Sequence, residues 1–287
     1  MRLLIRLLGI SLLLLCGSVM AASVWKVSKD GHHFYLAGTV HLLSKTDYPL
    51  PAAYDTAFNA SSQLLFETDL NALTSPASLT KMMQQNTYSD GKTLEQVLSP
   101  KVYQQLQAYA TAREIPISAI NRFKPGFAAM MLANVEMQRL GAAETGVDMH
   151  YMQLAQQQNK QVAGLETLDE HFAVLDGINQ LDPDLTISST LDDMHKVKDQ
   201  LVEMKQAWRS GDASKLEQLF IADLKEVPQM YENLLVKRNQ AWLPALQALR
   251  RDQNTAMVLV GALHLAGEHG LLQLLQQQGY TLTQLTE

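Results

Sequence analysis

Cysteine is nearly absent from this 287-residue chain: the single one, Cys16, lies inside an apolar stretch near the start. If that stretch is removed, disulfides, thiolate metal ligands and a cysteine nucleophile are all excluded. Positive charge is also scarce, with 23 Lys and Arg against 29 Asp and Glu and a formal net charge of −6. That balance argues against nucleic acid or an anionic membrane surface as the main partner. No apolar run after residue 22 is long enough to span a bilayer, so stable membrane insertion is not expected. The chain has neither a His-Glu-x-x-His zinc helix nor a Gly-x-Ser-x-Gly elbow, which leaves zincins and serine hydrolases unsupported. Gly91-Lys92-Thr93 imitates the tail of a phosphate loop, but Asn86 stands where the first glycine belongs.

What is present begins with a leader. Met1 to Arg6 carries two arginines, Leu7 to Cys16 is apolar, and Gly17 to Ala22 is built of mostly small residues. This order reads as a secretory signal over residues 1–21, cut after Ala21 with Val19 at the minus-three position. A lipoprotein anchored at Cys16 is the rival, and bulky Leu15 before it speaks against that. Loss of Arg2 and Arg6 makes the remaining chain more acidic still. The expected location is the periplasm or outside the cell, and residues 22–287 are expected to form one domain.

Two near copies of one pattern lie at opposite ends of the chain. Phe34-Tyr35-Leu36-Ala37 stops at Gly38-Thr39-Val40-His41, and Ala256 to Val260 stops at Gly261-Ala262-Leu263-His264. Each predicts a buried strand whose glycine permits a sharp turn and whose histidine emerges beyond the strand end. Pro51 opens a helix to Asn59, and Gln63 to Phe66 reads as a further strand ending at Glu67. The C-terminus repeats that outline with a helix from about Glu268 to Gln278 and an edge-like strand from Tyr280 to Leu285. The expected fold is therefore α/β, with a mainly parallel central sheet built from N- and C-terminal βαβ-like units. A large helical region, roughly residues 75–250, separates them. Within it Ser99-Pro100 starts one helix, Lys124 to Leu140 and Val147 to Gln158 form others, and Gln161 to Leu165 is a short strand ending at Glu166. Asp182-Pro183, Gly211 and Pro228 punctuate the rest, and His32-His33 reads as a turn.

In open α/β sheets, side chains beyond the carboxyl ends of the strands converge on ligand. His41, Glu67 and His264 stand there, with Glu166 as a fourth candidate. Two imidazoles and a carboxylate are the donors of an open catalytic metal site, suited to zinc, manganese, cobalt or iron. For any one of them alone, a hydrogen-bonded loop residue or a helix cap is the commoner explanation. The matched pair with an intervening carboxylate shifts that balance. His150, His171, His195 and His269 show no ligand spacing.

The chain resembles the TraB/GumN family, to which the Tiki proteases are related. The resemblance runs through Tyr35 to Leu43, Phe66-Glu67-Thr68-Asp69, Lys124-Pro125, Gly146-Val147-Asp148, Gly164-Leu165-Glu166-Thr167, Arg238-Asn239 and Val260 to Gly267. It implies a fold akin to the erythromycin esterase and ChaN-like group, with His41, His264, Glu67 and Arg238 in the active site. It also implies hydrolysis, by a metal-dependent protease of Tiki type or by a metal-free esterase-like route. Gly126 departs from the aromatic residue that many members carry after Lys-Pro. Without the resemblance, Arg238 reads as a helix charge; with it, as a cation for a substrate carboxylate or an oxyanion. The expectation is an exported hydrolase, metallopeptidase-like, acting on a peptide or small-molecule substrate. His41, Glu67 and His264 serve as metal ligands or water activators, and Glu166 is held in reserve. A non-catalytic periplasmic binding factor is the alternative.

Overall fold

In the computed structural model of the chain, residues 21–249 and 255–286 are described. The expected leader lies almost wholly outside them, as does the end of the expected helical region. A six-stranded sheet forms the centre, in the order β6-β4-β7-β2-β1-β8. Its strands are β1 (Ala21–Lys29), β2 (His32–Thr39), β4 (Gln63–Phe66), β6 (Gln161–Gly164), β7 (Ala256–Gly261) and β8 (Thr281–Thr286). The two-residue strands β3 (Leu42–Leu43) and β5 (Glu144–Thr145) pair separately.

The four strands β6, β4, β7 and β2 run parallel, in register Phe66 to Gly164, Phe66 to Leu259 and Thr39 to Gly261. Their carboxyl ends therefore lie along one edge. The central strands β2, β4 and β7 are buried on both faces, so their sequences are continuous apolar runs. Successive residues still alternate between two cores. Tyr35, Ala37, Leu64, Phe66, Met257 and Leu259 face one, and Phe34, Leu36, Leu65, Val258 and Val260 face the other.

Helices cover both faces. The longer helices of the chain are α1 (Ala52–Asn59), α2 (Pro76–Gln85), α3 (Pro100–Ala112), α4 (Pro125–Arg139), α5 (Val147–Gln157), α6 (Leu168–Asn179), α7 (Pro183–Asp193), α8 (Val197–Ser210), α9 (Lys237–Ala248) and α10 (Leu271–Gln277), of which α1, α5 and α8 pack on one face of the sheet and α9 and α10 on the other. Tyr54 of α1, Tyr151 of α5 and Trp208 of α8 fill the first core, and Trp242 and Leu246 of α9 with Leu271 and Leu275 of α10 fill the second. Tyr54 Oη and Trp208 Nε1 both donate to the carbonyl of Gly38, at 2.5 and 2.9 Å, and so fasten the turn that precedes His41.

The middle of the chain contributes a third core between α3, α4 and α7, built on Leu106, Phe127, Leu132 and Ile187. There Glu136, 6% exposed, accepts from Tyr109 Oη at 2.9 Å, Arg113 Nε at 2.8 Å and Arg139 Nη1 at 3.0 Å. Gly126 is explained by close packing: a Cβ there would meet Asn179 Oδ1 and Ile178 Cγ2 of α6 at 2.8 Å.

Several expectations need correction. His32 and His33 belong to β2; the turn before them is Asp30-Gly31, with φ of 51° and 81°. The strand Ala21–Lys29 had no counterpart among the expected elements. The C-terminal unit does not close a parallel pair, because β8 takes the far edge and pairs antiparallel with β1, itself antiparallel to β2. Helix α10 is shorter than expected, since Gly267 at φ 80° breaks the chain before Leu271.

Candidate active site

Beyond the parallel strands the chain delivers one polar side chain per strand, in spatial order Glu166 after β6, Glu67 after β4, His264 after β7 and His41 after β2. Glycines make this possible. A Cβ on Gly164 would come within 2.9 Å of the Thr68 and Asp69 backbone, and one on Gly38 within 3.2 Å of Ala262 Cα. The histidine of the second motif lies in a 3₁₀ turn, Ala262–Leu265, that packs against Gly38.

Arg238 joins three of the four. It stands at the second position of α9, directly after the π turn Glu232–Val236, a distortion frequent at functional sites. Its Nη2 donates to Glu67 Oε2 at 2.6 Å and Glu166 Oε1 at 2.8 Å, and its Nε donates to Glu166 Oε2 at 3.0 Å. Its Nη1 donates to the Leu234 carbonyl at 3.3 Å and to His264 Nε2 at 3.1 Å. The five N–H groups of the guanidinium thus have five acceptor contacts. Because arginine only donates, His264 Nε2 must accept, so the ring is neutral and its proton sits on Nδ1. That proton goes to Asn239 Oδ1 at 2.6 Å, and the Asn239 amide donates to the carbonyls of His264 and His269. Burial, with Arg238 alongside and Glu67 opposing, pushes His264 down to about 4.

Glu67 is held by the Gly261 N–H at 2.6 Å as well as by Arg238. Burial alone would raise its pKa, but Arg238, the cationic His41 and that N–H keep the carboxyl well below the usual range. Glu166 is likewise buried and yet lowered, through hydrogen bonds from His171 and Arg238. It also accepts from Trp242 Nε1 at 3.1 Å, and the Trp242 ring lies 4.8 Å from the guanidinium carbon and 4.6 Å from the His264 ring.

His41 stands apart from this network, with its side chain 67% exposed. Its Nδ1 donates to Asp148 Oδ2 at 2.9 Å. That bond, against desolvation and with help from the charges of Asp148 and Glu67, raises His41 to about 9, so the ring is cationic at neutral pH. Asp148, 8% exposed, occupies the first turn of α5, where a carboxylate is favoured by the helix dipole. The Val147 N–H bonds the Val40 carbonyl at 3.1 Å, and Gly146 abuts the His41 carbonyl so closely that no Cβ fits there. Asp148 Oδ1 is buried without a partner.

His41, Glu67, Thr68, Asp148 and His171 line one cavity of about 230 Å³, whose apolar wall includes Leu70 and Leu73. His171, in the first turns of α6, bonds Glu166 Oε1 through Nδ1 at 2.7 Å. Ligand atoms of Glu67, Glu166 and His171 all lie within 4.8 Å of one another, the arrangement among the described residues that could hold a metal ion. Of the residues expected from sequence, Glu67 and the reserve candidate Glu166 belong to that trio. His264 has both ring nitrogens engaged, and His41 keeps Nε2 clear of Asp148. His171, Asp148 and Trp242 were not among the expected site residues, although Gly146-Val147-Asp148 was already part of the resemblance.

The sequence pattern of the TraB/PrgY/gumN family matches residues 23–284. Among curated proteins, YbaP of Escherichia coli is 28% identical over 246 residues, covering 85% of this chain and 88% of that protein. YbaP of Shigella flexneri gives the same identity and coverage. The metalloprotease TIKI2 of Danio rerio is 22% identical over 301 residues, covering 86% of this chain and 57% of that protein. No solved structure shows significant similarity.

Proposed function

The chain belongs to the TraB/PrgY/gumN family, and from that premise we propose that it is an exported hydrolase that cleaves peptide bonds with the help of a divalent metal. One observation carries the reading: two buried carboxylates, an arginine and two imidazoles converge at the carboxyl ends of four neighbouring parallel strands, beside a cavity. The similarity to a protein named as a metalloprotease points to peptide substrates. Export rests on the leader read over residues 1–21, and no described helix is long and apolar enough to cross a membrane.

The basicity of the residues supports a role for metal. Glu67 and Glu166 are held ionised by strong donors, His264 is a weak base, and His41 is already protonated at neutral pH. None of them is poised to take a proton from water near pH 7. Two carboxylates and an imidazole are a donor set suited to zinc, manganese, cobalt or iron, and Glu67, Glu166 and His171 would supply it. When bound, such an ion lowers the pKa of its water and polarises the scissile carbonyl. His41, cationic and lining the cavity, protonates the departing amine, and Asp148 keeps the ring charged and oriented through its bond to Nδ1. In the metal-free site Arg238 keeps both carboxylates ionised, and His264, itself fixed by Asn239, accepts from the arginine. Thr68, Leu70 and Leu73 meet the substrate along the cavity wall.

A metal-free version of the same hydrolysis is favoured by one observation: Arg238 already places a positive charge between Glu67 and Glu166. Purified protein, assayed for metal content and then on a peptide library with and without chelator, separates the readings. Cleavage lost on chelation and restored by zinc or manganese is expected. Cleavage indifferent to chelator would favour the metal-free route. Ligand-dependent protection against heat with no product would mark a binding protein instead.

A further inference from the structure

Glu166 Oε1 is claimed twice: by Arg238 Nη2 at 2.8 Å and by His171 Nδ1 at 2.7 Å. The same Nη2 is also the group that holds Glu67 Oε2. The guanidinium therefore sits on carboxylate oxygens of two of the three residues that could bind an ion, and it is itself only 12% exposed. A divalent ion and an arginine nitrogen cannot share those oxygens in a buried space, because like charges at such range repel strongly where water is excluded. What sets this cluster apart from an ordinary buried ion pair is the third donor. His171 and Glu67 both line the cavity, which gives an ion a route in.

We propose that Glu67, Glu166 and His171 form a divalent-metal site that Arg238 closes when no ion is present, so that seating of the arginine and filling of the site exclude one another. His171 gives up its hydrogen bond to Glu166 and offers the Nδ1 lone pair to the ion. The planar guanidinium moves as one unit: Nε and Nη2 leave Glu166 and Glu67, and the group turns toward the cavity. In the filled state its freed N–H groups are available to a substrate oxygen. The inference builds on the metal-assisted reading above but is read by metal affinity alone, so its failure leaves peptide hydrolysis standing.

The test is zinc affinity by competition with a chromophoric chelator, on the full chain after leader removal. Arg238→Gln is expected to bind zinc at least about tenfold tighter than the parent, since the competing cation is gone. His171→Asn is expected to bind about tenfold or more weakly, and to cancel the gain when combined with Arg238→Gln. The rise in melting temperature on adding zinc follows the same order. Should Arg238→Gln require metal to fold, that result supports the proposal, and Arg238→Lys serves for the affinity measurement. A lysine offers one ammonium where the fork bonded both carboxylates, and its affinity is expected between parent and Gln variant. Equal or weaker zinc binding in both Arg238 variants, or unchanged binding in His171→Asn, overturns it.

Discussion

Two regions of this molecule bury a glutamate against arginine, and only one of them has the makings of a reaction centre. In the helical middle, Glu136 accepts from Tyr109, Arg113 and Arg139, whose guanidinium groups reach the surface with side chains 24% and 49% exposed. At the sheet edge, Arg238 is itself enclosed, is shared between Glu67 and Glu166, and lies beside a cavity into which further titratable groups project. The first cluster sits on neighbouring helices and closes on itself; the second is assembled from four strand ends and three helices and retains unused donors. A buried ion pair therefore says little about function. The separation lies in what surrounds it: an opening, an excess of ligand atoms and a cationic imidazole nearby.

That contrast is open to direct attack. Glu67→Gln is expected to lower kcat/KM for peptide cleavage by about 10³-fold or more while the fold survives, because it removes charge where the reaction needs it. Substantial activity in that variant would erase the distinction between the clusters. Glu136→Ala should do the opposite, costing about 1–3 kcal/mol in urea denaturation with activity per folded molecule unchanged. The cost is held to that range because both arginines can rehydrate.

The pH profile sharpens the comparison further. His41 rises from 6.5 to about 9 in the folded protein, so the stability of its pairing with Asp148 is complete below 6.5 and fades as pH climbs through 9. If His41 is the proton donor, kcat/KM falls along the same alkaline limb. Asp148→Asn should draw that limb back to about 6.5, which lowers the rate at about pH 8 roughly thirtyfold and leaves pH 6 little changed. The smallest effect is expected of Trp242→Phe, which removes one donor to Glu166: about 1 kcal/mol or less, read as a loss of up to about fivefold in rate.

Much of the sheet was legible because strands buried on both faces are uninterrupted apolar words, and the polar residue after each word is conspicuous. His41, Glu67, Glu166 and His264 were found that way. The strand Ala21–Lys29 was overlooked although Asp30-Gly31 is a strong hairpin signal, with both residues at positive φ. The alternation in Thr281–Thr286 announced a strand but not its partner, since pairing with β1 is decided by the whole sheet. His171 looked idle because the chain turns from β6 into a helix capped by Thr167, and only that turn brings the ring back to Glu166. Asp148 meets His41 through a contact between Val40 and Val147, distant in sequence. Arg238 read as a surface charge on periodicity alone; its two carboxylate acceptors follow strands 72 and 171 residues away in the chain.

The missing side chain at Gly146 carries a consequence of its own. Because the start of α5 rests directly against the main chain at His41, a single methyl group there would act as a wedge between two stretches of backbone. An alanine would pry the acid away from its imidazole without altering any polar atom, detuning proton delivery from a position that never meets the substrate.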